Sequence, residues 1–117
     1  MFLGLDSSTQ SLTAVLIDLP TGKIAAQQSV NFGADLPAYG SPNGFIPGGT
    51  AGEVHADPLM WVDALDLLMS RLAASVDLSS VKMIAGSGQQ HGSVYFDATF
   101  DQRVRVLDAS QNLASQI

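Results

Sequence analysis

The sequence predicts an α/β chain: a three-strand antiparallel meander, one amphipathic helix and further strands. Three observations predict it. Residues 2–32 hold three apolar, β-prone runs separated only by short polar or Pro/Gly turns. Asp57-Pro58 opens an apolar stripe at helical spacing, and residues 81–85 form another apolar run that ends in small and polar residues.

The first strand, Phe2 to Leu5, is short and apolar and is closed by Asp6. The turn Asp6-Ser7-Ser8-Thr9-Gln10-Ser11 follows, and Leu12 to Asp18 is a second strand rich in aliphatic and β-branched residues. A carboxylate at a strand end, beside a turn whose backbone N–H groups can face an anion, suits a Mg²⁺-phosphate ligand. The same residues also describe an ordinary hairpin with a polar turn. Leu19-Pro20-Thr21-Gly22 has turn chemistry, Pro presetting φ and Gly permitting a positive one. Lys23 to Phe32 alternates, with Ile24, Ala26, Val30 and Phe32 on one face and Lys23, Gln27 and Ser29 on the other.

Residues 33–56 carry Pro37, Gly40, Pro42, Gly44, Pro47, Gly48, Gly49 and Gly52 with few aliphatics, a density of breakers that predicts no regular element. So long a loop is either a flap over a ligand or a solvated surface segment. His55, at its end, reads as a solvated loop histidine. Asp57 is the expected N-cap and Pro58 the first helical residue. Trp61, Leu65, Leu68 and Leu72, widened by Val62 and Met69, form the expected buried stripe, opposite Asp63, Asp66, Ser70 and Arg71. Trp61 reads as core packing.

After a polar break at 77–80, Val81 to Ala85 is the next strand, running into Gly86-Ser87-Gly88-Gln89-Gln90-His91-Gly92. Open α/β sheets place ligands at such strand ends. Gln90 and His91 offer directional hydrogen bonds suited to a polyhydroxylated molecule; a turn held by its own side chains is the other reading. Ser93 to Asp97 and Arg103 to Leu107 are expected to form a final hairpin across 98–102.

The 117 residues are about one domain's worth of chain, enough for a real core. With 46% hydrophobic and 14% charged residues the composition is globular. A net charge of −6, from 5 basic and 11 acidic residues, argues against nucleic acid as a partner. A nucleotide ligand would therefore need a metal to supply positive charge. The absence of cysteine excludes a disulfide framework and thiolate metal sites. No apolar run approaches the ~18 residues of a membrane span, and the N-terminus lacks the pattern of a signal peptide. A cytoplasmic protein with no membrane partner is expected.

Taken in order, these blocks resemble the N-terminal part of the FGGY carbohydrate kinases, in the actin, Hsp70 and sugar kinase superfamily with its ribonuclease-H-like fold. The xylulokinase branch is the nearest in pattern. Asp6-Ser7-Ser8-Thr9-Gln10 resembles its first phosphate motif. Leu36-Pro37-Ala38-Tyr39-Gly40, the run Leu59 to Asp66 and Gly88-Gln89-Gln90-His91-Gly92-Ser93-Val94-Tyr95 are similar to later blocks.

The resemblance implies ATP and Mg²⁺ as cofactors. Asp6 would hold the metal through water, Ser8, Thr9 and Gln10 would face the ATP phosphates, and Gln90, His91 and Gly92 would contact sugar hydroxyls. The implied reaction moves the γ-phosphoryl group of ATP to a sugar hydroxyl, D-xylulose to D-xylulose 5-phosphate. A kinase for another ketose, polyol or sugar acid and a non-catalytic sugar- or nucleotide-binding module remain alternatives. Thr13 stands where many relatives carry Lys or Arg. The family's general base and adenosine site lie downstream, and Asp97, Asp101 and Asp108 do not match them. Residues 1–117 are therefore expected to be part of a longer kinase domain, inactive alone and prone to self-association.

Overall fold

A computed structural model describes all residues 1–117. Four strands form one sheet in the order β3-β2-β1-β4. β1 (Phe2–Ser7), β2 (Ser11–Asp18) and β3 (Lys23–Asn31) make the antiparallel meander, and β4 (Met83–Gly88) joins β1 in parallel. β1 and β2 are separated by only three residues, so they pair tightly, with Leu3 opposite Leu16 and Asp6 opposite Thr13. A parallel partner for β1 needs a long crossover, supplied by everything between residues 8 and 82.

The helix α2 (Pro58–Ala73) starts as its sequence dictates: Asp57 caps it by accepting from the Leu59 N–H at 2.9 Å, and Pro58 is its first residue. It covers one face of the sheet. Met60, Ala64, Leu68 and Leu72 are fully buried against Leu3, Leu12, Ala14, Leu16, Val30 and Phe32. The expected stripe is thus rotated. Leu68 and Leu72 are central as predicted, but Met60 and Ala64 complete the row, and Trp61, Leu65 and Met69 are half-buried beside it. A small residue at 64 lets the helix approach the sheet closely, which hydrophobicity alone does not signal.

Three further expectations are corrected. Ile24 does not share a face with Ala26. A β-bulge at Leu16/Ile17 pairs Ile17 with Ile24 but Leu16 with Ala26, which turns Ile24 away from the helix and leaves it 62% exposed. Residues 33–56 are not devoid of regular structure. Phe32–Asp35 forms the single-turn α1, capped by Asn31 accepting from the Ala34 N–H at 2.9 Å, and Pro37–Tyr39 forms a 3₁₀ turn.

Finally, residues 93–107 contain no strand. The segment instead forms α3 (Phe100–Val104). Asp97 accepts from the backbone N–H and the hydroxyl of Thr99 at 2.8 and 2.7 Å and pairs with Arg103 at 3.0 Å. Phe96 stacks on Phe100 with ring centroids 3.9 Å apart. β-Propensity is a fit to a half-buried pleated surface. Tyr95, 93% exposed, has no such surface beneath it.

The early part of the 33–56 segment is anchored to α2. Arg71 donates two hydrogen bonds to the Asp35 carboxylate, at 2.7 and 3.3 Å, and one to the Ser29 carbonyl at 2.7 Å. Its guanidinium, with the Asn31 N–H, holds the Asp35 carboxyl below the usual carboxylate range. The Tyr39 hydroxyl donates to Asp63 of α2; burial first, then this carboxylate, push its pKa up to about 12. Asp63 and Arg71 of α2 are therefore ties to neighbouring segments and not part of a free solvated face.

Candidate functional site: the cleft at the ends of β1 and β4

The parallel register sets Asp6 beside Ser87 and Ser7 beside Gly88. The β1–β2 turn and the segment after β4 therefore leave the sheet at the same end, on adjacent strands. They border a cleft of about 690 Å³. Six of the seven predicted site residues line it: Asp6, Ser8, Thr9, Gln90, His91 and Gly92. Gln10 does not. Its carbonyl accepts from the Phe32 N–H at 2.9 Å, which fixes the far side of the turn to the start of α1.

The turn is built by its own hydroxyls. The Ser8 N–H donates to the Ser11 carbonyl at 2.9 Å, and the Ser8 and Ser11 hydroxyls lie 3.1 Å apart. The N–H groups of Thr9 and Gln10 donate to nothing within the chain, so two backbone donors remain free at the tip. Thr9 Oγ1 accepts from Gln89 Nε2 at 2.7 Å, leaving the threonine proton free to donate. Ser87 donates to Asp6 Oδ1, while Oδ2 has no partner in the chain. Ser87 and Gln89 thus orient Asp6 and Thr9. A sequence reading cannot find them as partners, because their relation depends on the β1–β4 register.

The 33–56 segment forms the third side. Gly44, buried with φ +82°, lies against the turn so closely that a Cβ there would sit 1.7 Å from the Thr9 carbonyl oxygen. Only glycine meets both conditions. Beyond it, the Ile46 N–H donates to the His55 carbonyl at 2.8 Å and closes a loop that brings Phe45, Val54 and His55 to the cleft. Trp61, from the first turns of α2, lines it as well. Both histidines of the chain therefore border one cleft, and Trp61 is more than core packing. Neither placement has a local sequence signal.

The cleft wall contains no lysine or arginine, and its one carboxylate is Asp6. No group of three or more potential ligand side chains is present. An anion entering here would need a cation brought with it. One carboxylate with a free oxygen among hydroxyls suits Mg²⁺, which keeps several waters and takes phosphate oxygens. Thr13 faces Asp6 across the β1–β2 pair and sits 3.1 Å, hydroxyl to hydroxyl, from Ser29. Asp6 is therefore flanked by hydroxyls on both neighbouring strands.

The fold of this chain is shared with solved carbohydrate kinases. Two solved structures from Lactobacillus acidophilus, a gluconate kinase and a xylulose kinase, each superpose on 75% of the chain with a TM-score of 0.56 at 24% identity, covering 15% of their own length. No protein-family model matches the chain. Within that fold class the sequence is similar to curated xylulose kinases. It is 43% identical over its whole length to a xylulose kinase of Schizosaccharomyces pombe and 40% identical to xylulose kinase 2 of Arabidopsis thaliana. A rat xylulose kinase is 41% identical over 80% of the chain. The chain spans about a fifth of the length of these curated relatives. No helix is long and apolar enough to cross a membrane.

Proposed function

We propose that this chain supplies the phosphate turn and one sugar-facing wall of an ATP-dependent kinase that converts D-xylulose to D-xylulose 5-phosphate. The observation that carries the reading is the parallel β1–β4 pairing, because it brings the Asp6–Gln10 turn and Gly88-Gln89-Gln90-His91-Gly92 to one cleft. Phosphoryl transfer depends on positioning and charge neutralisation more than on covalent chemistry, and these residues supply positioning.

In this reading the free N–H groups of Thr9 and Gln10 and the Thr9 hydroxyl donate to phosphate oxygens. Ser87 holds one oxygen of Asp6, so that the other presents to the waters of Mg²⁺. Mg²⁺ held there through water by Asp6 would supply the positive charge that offsets the phosphates. Gln90 and His91 hydrogen-bond sugar hydroxyls, and Gly92 lets the backbone approach the ligand. The general base and the adenosine pocket belong to the remainder of the kinase. Asp97 and Asp108 are engaged in local turns and take no part.

The test is ADP release by the whole protein with D-xylulose beside other ketoses, aldoses, polyols and sugar acids. Preference for D-xylulose is expected. Turnover only with another sugar keeps the kinase and replaces the substrate; no sugar-dependent release leaves a binding module on this scaffold.

A further inference from the structure

The cleft lining combines two chemistries: Asp6, Thr9, His55, Gln90 and His91 are polar, whereas Phe45, Val54, Ala56 and Trp61 are apolar. We infer that Trp61 is a sugar-positioning residue, its indole forming the wall on which the carbon skeleton of the sugar lies. This rests on the kinase reading above. A sugar presents hydroxyls in some directions and C–H bonds in others, so a wholly polar pocket would leave its C–H edge against poorly matched groups. Ligand pockets commonly combine an apolar wall with a few convergent polar groups, and an indole offers a large rigid apolar face with a polar N–H at its edge.

Three features fit Trp61 for this. The Asp57 cap and Pro58 fix the start of α2, so the residue one turn later is held in place. The ring is half-buried against the core while still lining the cleft. The indole N–H makes no hydrogen bond within the chain and is not fully buried. The nucleotide phosphates are assigned to the β1–β2 turn, whereas Trp61 belongs to α2. Trp61 should therefore affect the sugar and not MgATP.

Steady-state kinetics of the whole protein carrying Trp61→Leu or Trp61→Phe tests this. Trp61→Leu is expected to raise the sugar KM about tenfold with the MgATP KM within about twofold, and Trp61→Phe to restore most of the affinity. An unchanged sugar KM, or equal rises in both KM values, overturns the inference while leaving the kinase reading intact. Absence of sugar-dependent ADP release by the parent protein removes the kinase reading instead. The inference, which rests on that reading, falls with it.

Discussion

Gly44 joins the loop to the β1–β2 turn by leaving no room for a side chain. A Cβ would overlap the Thr9 carbonyl, and the positive φ adds backbone strain for any L-residue. Gly44→Ala is expected to destabilise by about 1–3 kcal/mol, read from the denaturation midpoint at unchanged m, and to displace the turn; unchanged stability would contradict the contact. Ser87→Ala releases Asp6 without touching the core, so it should weaken MgATP use and leave the melting temperature within a few degrees. The turn's composition is legible in the sequence, including Asp6, Ser8 and Thr9. Its partners are not, because Gly44, Ser87 and Gln89 reach it through contacts 35 to 81 residues away along the chain, for which no local pattern exists.

At the level of elements, α2 is the keystone of the buried face. Leu68 is fully buried in its centre, and Leu68→Ala should cost about 2–5 kcal/mol by chemical denaturation. Two ties along the same helix carry opposite pH signatures. The Tyr39 pKa is raised to about 12, so the native state holds this proton while the unfolded chain releases it near 10. Its contribution is present below pH 10 and declines between about 10 and 12. The Asp35 pKa is lowered, so its contribution is present above the ordinary carboxylate range and is lost on acidification through it. Both partners of Asp35 and Arg71 are about a third exposed, which limits this tie to about 0.5–1 kcal/mol. Tyr39→Phe should remove the alkaline decline and Asp35→Asn the acid one, each seen in melting temperature against pH. The start of α2 and the meander were readable from Asp57-Pro58 and from the short turns. The bulge at Leu16/Ile17 and the helical turn at 100–104 were not. The first depends on cross-strand register, and the second on residues 93–107 packing on no sheet, as the 93% exposure of Tyr95 shows.

For the whole molecule, the sheet is covered by α2 on one face only, and β4, at its edge, is exposed at all six residues, with Met83 and Ile84 58% and 60% exposed. Unpaired strand edges with apolar side chains favour association. The 117-residue chain should therefore show a mass above 12.2 kDa by light scattering at high concentration; a strict monomer would contradict this. The parallel β1–β4 pairing is also what unites the two halves of the candidate site, and it gives the most direct test. Steady-state kinetics of Asp6→Asn and His91→Ala in the whole protein should separate the two ligands. His91→Ala should raise the sugar KM with little change for MgATP, and Asp6→Asn should lower turnover and weaken MgATP use with little change in sugar KM. If both variants retain the turnover and both KM values of the parent, the cleft between β1 and β4 is not the site of phosphoryl transfer.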